Sequence, residues 1–83
     1  MPSCPTAGAV PWAMEENRER YFEMLERFDG MTIEQMAHFM SRWMYLENNR
    51  YEYRQLSDRQ YAGDMYAATR AFDAALSKKG GAQ

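Results

Sequence analysis

The sequence has few of the residues that build most catalytic and metal sites. It contains one cysteine and one histidine among its 83 residues. A disulfide within the chain is therefore excluded, and the paired-cysteine and HExxH spacings of zinc sites are absent. Glycine-rich phosphate loops are absent as well. Because nothing gathers several reactive groups into a pocket, we expect no enzyme activity, no catalytic residue, no metal and no cofactor.

Charge and hydropathy exclude further classes. The net charge is −2, without the excess of lysine and arginine that is typical of nucleic-acid-binding domains. No apolar run approaches the roughly 18 residues that predict a membrane span. The N-terminus has neither the basic start nor the apolar segment of a signal peptide. Cys4 lies between prolines as a free thiol, which favours a reducing compartment. We therefore expect a cytoplasmic protein that does not contact membranes.

Proline is absent after Pro11. All three prolines fall within residues 1–11, which carry no charged side chain. This composition predicts an extended or disordered arm over 1–11. Residues 12–77 are predicted to form a single helical domain, and 78–83 a flexible tail. Residues 12–77 contain no proline, which would lack the backbone N–H that a helix needs.

Apolar residues recur at helical spacing in three segments of this domain. These segments are about 13–28, 33–47 and 58–77. Gly30 suits the left-handed position that ends a helix. Thr32 and Ser57 are candidate N-caps, each followed three residues later by a glutamine, as in a capping box. Whether the second helix extends to residue 55 is left open. The predicted fold class is all-α, a small three-helix bundle.

The second predicted helix is apolar over half of its circumference. Met36, Met40 and Met44 recur every four residues with Trp43 among them. The arc is about 180° wide, whereas a helix packed on one neighbour needs about 100°. Our main expectation is that this helix lies between the other two, and the alternative is that part of the arc binds a second chain. His38 falls on the polar side and joins no predicted site.

The third predicted helix has two stripes. Its inner stripe is predicted to comprise Tyr61, Met65, Ala68, Thr69, Phe72 and Leu76. A ridge of small residues lies opposite, formed by Gly63, Ala67, Ala71 and Ala74. Alanine is the best helix former on an exposed face, but a small ridge also lets another helix approach closely. Together with the wide apolar arc of the second helix, the ridge predicts that the chain self-associates through these four residues as a homodimer.

Arginine and tyrosine are concentrated in residues 42–61. These residue types dominate protein interfaces because they bring large area or many donors at modest entropic cost. The predicted partner-binding residues are Trp43, Tyr45, Arg50, Tyr51, Tyr53 and Arg54. The alternative for the tyrosines is that they rim the core with hydrated hydroxyls.

Arginines interleaved with aromatics could also hold phosphates and stack bases. Acidic residues leave the same window only one net positive charge. A helix-turn-helix is disfavoured, because Ser41 stands where the turn needs glycine and Glu47 where a buried aliphatic is required. Nucleic acid is therefore not the partner we expect.

The stretch ENNRYEYRQLSD (47–58), followed by Ala62 and the YAA of 66–68, faintly resembles part of the Hha/YmoA family. Those small helical proteins associate with a nucleoid protein and modulate transcription. The resemblance needs two insertions and does not include the first helix, so no functional residue is carried over.

We therefore expect a small non-enzymatic protein that binds a larger protein partner and modulates or blocks it. It would be an adaptor, regulator or inhibitor of the kind that phages and mobile elements encode. The alternative is a small helical nucleic-acid-binding or nucleoid-associated transcription regulator.

Overall fold

The computed structural model describes residues 15–80, which form three helices joined by short turns. They are α1 (Glu15–Asp29), α2 (Ile33–Glu52) and α3 (Asp58–Gly80). No strand occurs between residues 15 and 80, so the predicted all-α three-helix bundle is confirmed. None of these helices is both long and apolar enough to cross a membrane. The predicted arm over 1–11 lies outside the described residues.

Both predicted helix starts are confirmed by their side-chain caps. The Gln35 amide donates to Thr32 Oγ1 at 3.1 Å, and the Thr32 amide donates back to Gln35 Oε1 at 3.0 Å. This reciprocal pair is a complete capping box, which satisfies two amides that otherwise lack partners. The Gln60 amide donates to Ser57 Oγ at 3.1 Å at the start of α3.

The left-handed residue that ends a helix is an arginine and not the predicted glycine. No described glycine has a positive φ, so the expectation for Gly30 is wrong. Arg54 adopts φ 64° directly after α2. The Gln55 amide donates to the Arg50 carbonyl and the Arg54 amide to the Tyr51 carbonyl, both at 2.9 Å. This pair of bonds is a Schellman motif, which normally places glycine at the left-handed position.

Replacing Arg54 by glycine is therefore expected to raise the free energy of unfolding by about 1 kcal/mol. A residue with a Cβ needs about 1–2 kcal/mol to adopt this conformation, and glycine avoids that cost. Glycine also has more conformational freedom in the unfolded chain, which offsets part of the stabilisation. Urea unfolding followed by circular dichroism measures the change. Arg54→Ala is the control, because alanine removes the guanidinium but keeps the strained Cβ. Equal stabilisation by alanine would mean that the cause is not backbone strain.

Helix α3, and not α2, lies in the middle of the bundle. Its backbone runs close to both α1 and α2, whereas the backbones of α1 and α2 come close to each other at few points. The fully buried part of α3 consists of small residues, among them Ala68 and Ala71. They pack with Met24, Phe28, Met36 and Met40 of the other two helices. The expectation that α2 is central is wrong, because small side chains on α3 let two helices with larger side chains approach it closely.

The small-residue ridge of α3 is where α1 packs. Gly63, Ala67 and Ala71 are buried within the single chain. The side chain of Asn17 on α1 lies directly over Gly63, and Ala74 is partly buried beside them. The ridge is neither an exposed face nor free for a second copy, so the prediction that it mediates self-association is wrong at these three buried residues.

Helix α3 continues to Gly80, so residues 78–80 of the predicted tail are helical. Lys79 Nζ donates to the Asp29 carbonyl oxygen at 3.2 Å, and Lys78 Nζ lies 3.9 Å from Asp29 Oδ1. These contacts bring positive charge to the carboxyl end of α1, where the helix dipole favours it. They tie the last turn of α3 to the end of α1. Residues 81–83 lie outside the described part of the chain.

Candidate protein-binding surface

Three of the six predicted partner-binding residues already have partners within the chain. Trp43 packs against the core, with the Arg20 guanidinium 5.8 Å from its ring centre. Arg50 Nη1 donates to Glu47 Oε2 at 2.7 Å. The Tyr51 hydroxyl donates to Asp58 Oδ1 at 2.7 Å, and this bond to a carboxylate raises the pKa of Tyr51. These three side chains mainly hold the fold together.

Tyr51 also stacks on Tyr61, with ring centres 4.4 Å apart. The Tyr61 hydroxyl in turn lies 3.4 Å from Asn48 Oδ1. The two tyrosines and the carboxylate of Asp58 thus join the end of α2 to the start of α3. Tyr51 therefore fits the alternative interpretation, in which a tyrosine lies at the rim of the core. Its hydroxyl is paired with Asp58.

Tyr45 and Tyr53, in contrast, point into solvent. Their exposed fractions are 63% and 76%, and that of the neighbouring Leu46 is 45%. Arg42 is exposed beside them and Asn49 is half-buried. We call Arg42, Tyr45, Leu46, Asn49 and Tyr53 the α2 patch. On the helical wheel they fall within an arc of about 100°, so they are neighbours on one side of α2 and its C-cap residue Tyr53.

The edges of the apolar arc of α2 are not covered by α1 or α3. Met36 and Met40 in the middle of the arc are buried, and Trp43 is partly buried. Ile33 and Met44 at one edge and Leu46 at the other are exposed. The arc is therefore wider than the surface that α3 covers. Because the small-residue ridge is buried, the homodimer stays a prediction that rests on these exposed edges alone.

Sequence reasoning missed three members of the α2 patch, namely Arg42, Leu46 and Asn49. Leu46 lies about 80° from Met36 on the helical wheel, at the edge of the apolar arc. That position, at the limit of what one packed neighbour covers, was the available signal. Arg54 is also exposed and follows Tyr53 directly, held in its left-handed conformation.

A buried polar junction also escaped the sequence analysis. Glu47 and Asp64 are almost fully buried where the three helices meet. Arg20 Nε lies 3.7 Å from Asp64 Oδ1, and Arg50 pairs with Glu47. Asp64 Oδ2 and Glu47 Oε1 are buried without a hydrogen-bond partner among the described residues. The wheel places Glu47 in the middle of the apolar arc, which was a signal for its burial.

The junction opens onto a polar groove of about 500 Å³ between α1 and the start of α3. Three carboxylates and two arginines line it, so the groove keeps one net negative charge. Within residues 15–80 no three or more histidine, cysteine, aspartate or glutamate side chains converge to hold a metal ion. The junction therefore orients helices, and we assign it no chemistry.

Asp64 makes the stability of the fold depend on pH. Burial raises the pKa of Asp64 above its ordinary value of 3.8, although Arg20 opposes the shift. The folded state then keeps a proton that the unfolded chain has already lost. The contribution of this carboxyl to stability is full below the unfolded pKa and is lost as the pH rises through the folded pKa.

Asp64→Asn removes this titration and is expected to gain stability relative to the natural chain as the pH rises above the ordinary pKa of 3.8 and through the raised folded pKa. Arg20 keeps its bond to Glu23 Oε1 at 2.8 Å, so the substitution does not leave the guanidinium unpaired. Urea unfolding at several pH values measures the difference. Asp73→Asn, at an exposed position of the same helix, is the control. A difference for Asp64→Asn that stays constant with pH would contradict the prediction.

No protein-family model, no curated protein and no solved structure matches the chain. The function must therefore be argued from the chain's own surfaces.

Proposed function

We propose that the protein is a small non-enzymatic module that binds a larger protein through the α2 patch and modulates or blocks that partner. One observation carries the proposal. Two tyrosines and a leucine are exposed within nine residues at the end of α2, with Tyr53 as its C-cap residue. Large exposed side chains that gather on one face are typical of interaction sites, whereas scattered ones need no explanation.

The surroundings of the patch suit an interface. Tyr45 and Leu46 project from a regular helix whose opposite side is fixed by Met36 and Met40 in the core. Binding therefore costs little ordering of the backbone, and tyrosine has only two side-chain torsions to fix. Arg42 and Asn49 provide hydrogen-bond donors at the same face.

The size of the chain supports a modulator or inhibitor. A helical domain the size of residues 15–80 has room for one interface of ordinary area, which covers a substantial share of its surface. Such a protein acts by occupying or reshaping a site on its partner. An origin in a phage or mobile element and a cytoplasmic location rest on composition and size alone, as analogy.

Affinity capture with substitutions in the patch tests the proposal. The full chain is immobilised and exposed to a lysate of its native host, in parallel with Leu46→Ala, Tyr53→Ala and Phe22→Ala. Phe22 on α1 is the matched control, because it is 57% exposed but lies outside the patch. A specific partner should bind the natural chain and the control alike. Either patch substitution should weaken binding by about tenfold to a hundredfold, or about 1.4–2.8 kcal/mol.

Thermal unfolding of the same variants separates binding from folding. Because Leu46 and Tyr53 are exposed, each substitution should change stability by less than about 1 kcal/mol. Undiminished capture by the patch variants would refute the proposal. Loss of folding in either variant would show that the side chain belongs to the core.

A further inference from the structure

We propose that the partner contributes an amphipathic helix with carboxylate side chains, and that this helix packs along a heptad seam on α2. The seam consists of Phe39 and Leu46 of α2 and of Tyr53, its C-cap residue, whose amide still donates to the Asn49 carbonyl. Gln35, Arg42 and Asn49 lie beside them. The inference rests on the proposed function and names the partner's chemistry. It follows from the register, the exposure and the charge of these six residues.

The register is that of a coiled-coil seam. Phe39, Leu46 and Tyr53 are each seven residues apart, and each has a polar residue four positions before it. Steps of three and four therefore alternate from residue 35 to residue 53. The six positions fall within an arc of about 80° on the helical wheel. A second helix can insert its side chains between such positions, as knobs pack into holes.

Exposure increases along the seam. Phe39 is half-buried, and its ring meets Phe28 edge to face with centres 5.7 Å apart. Leu46 is about half exposed, and Tyr53 is the most exposed of the large apolar residues between 15 and 80. One end of the seam is thus fixed in the core, and the other presents the most apolar area to a partner. Burying that area is the main gain on binding.

The charge of the seam selects the partner. Arg42 is its only charged residue, and Arg50 and Arg54 stand next to its open end. Three carboxylates adjoin seam residues in sequence. Glu47 is buried and bound by Arg50, and the exposed Glu34 lies about 100° away around the helix. The exposed Glu52 lies about 100° away around the helix. A docked helix therefore meets positive charge beside apolar side chains, which favours glutamate or aspartate at its flanking positions.

The same charges disfavour a second copy of this chain. Antiparallel pairing of two α2 helices centred on Leu46 would set Arg42 of one copy opposite Arg50 of the other. Parallel pairing in register would set Arg42 opposite Arg42. Like charges across an interface are repulsive. Glu47 partly compensates Arg50, but no ion pair within residues 15–80 compensates Arg42. The geometry thus points to a partner of different sequence.

Two synthetic helical peptides test the inference. Both carry leucine at the seam positions of three heptads, and they differ only in glutamate or lysine at the flanking positions. Fluorescence anisotropy measures the binding of each peptide to the full chain. The glutamate peptide should bind at least about tenfold more tightly than the lysine peptide, and Arg42→Glu should reverse this order. Leu46→Ala and Tyr53→Ala should weaken the glutamate peptide about tenfold, and Phe22→Ala should leave it unchanged.

Three results would overturn the inference. They are the absence of binding by both peptides, equal binding of both, and a dimer in sedimentation equilibrium that Leu46→Ala dissolves. The capture experiment separates this failure from failure of the proposed function. If Tyr53→Ala abolishes capture of the natural partner while the peptides do not bind, the patch remains the interface and only the helical acidic partner is wrong. If Tyr53→Ala leaves capture intact, the proposed function itself fails.

Discussion

Phe28→Ala is expected to abolish most of the cooperative unfolding transition of the protein. Phe28 is completely buried, and its ring meets Phe39 of α2 and Phe72 of α3, with centres 5.7 Å away in both cases. It is thus a side chain of α1 that contacts both other helices. Truncation of such a residue costs about 3–5 kcal/mol. A domain this small has a total stability of only about 3–10 kcal/mol.

Circular dichroism during urea unfolding measures this effect. Phe22→Ala on the same helix is the matched control, since Phe22 is exposed and its ring contacts that of its neighbour Tyr21. The control should change the free energy of unfolding by no more than about 0.5 kcal/mol. Similar losses in the two variants would mean that α1 does not pack as described.

Gly63→Ala is expected to destabilise the fold by about 1–3 kcal/mol, although alanine favours a helix over glycine by about 1 kcal/mol. The reason is the approach of α1. A Cβ added at Gly63 would lie 2.7 Å from the carbon and the nitrogen of the Asn17 side-chain amide. Asn17 is itself buried, so the amide has little room to move away.

Two comparisons isolate this contact. Gly80 has no atom within 4 Å of an added Cβ, so Gly80→Ala should be neutral or slightly stabilising. Adding Asn17→Ala to Gly63→Ala should recover part of the loss, because it removes the clashing amide. The double variant is then more stable than the sum of the single changes predicts. If Gly63→Ala raised stability, α1 could not be packed on the small-residue ridge.

The helix starts could be predicted because their causes are local. Thr32 and Gln35 lie within one turn, so the sequence alone contains both halves of the capping box. Which helix lies between the other two depends on contacts between residues that are far apart in sequence. Both stripes of α3 were visible, but the wheel cannot tell whether a small ridge faces solvent, a second chain or the same chain. The half-apolar arc of α2 indicated a central helix, yet its edges at Ile33 and Leu46 stay exposed.

The binding surface could be predicted as a region but not residue by residue. Tyr45, Tyr51 and Tyr53 are the same residue type within nine positions, and only Tyr51 is held by Asp58 and Tyr61. That difference depends on how the turn before α3 brings Asp58 back toward α2. Predicting that difference requires the three-dimensional path of residues 53–57. This path includes Arg54 in a left-handed conformation, which the composition does not predict.

Footprinting of the complex tests most directly that the α2 patch is the interface. The partner captured from the host is bound to the full chain, and reactive labelling of side chains is compared with that of the free protein. We predict strong protection of Tyr45, Leu46 and Tyr53, with unchanged labelling of Phe22 on α1. Unchanged labelling of the patch, with protection of Phe22 or of Ile33 and Met44 at the other edge of α2, would contradict this account.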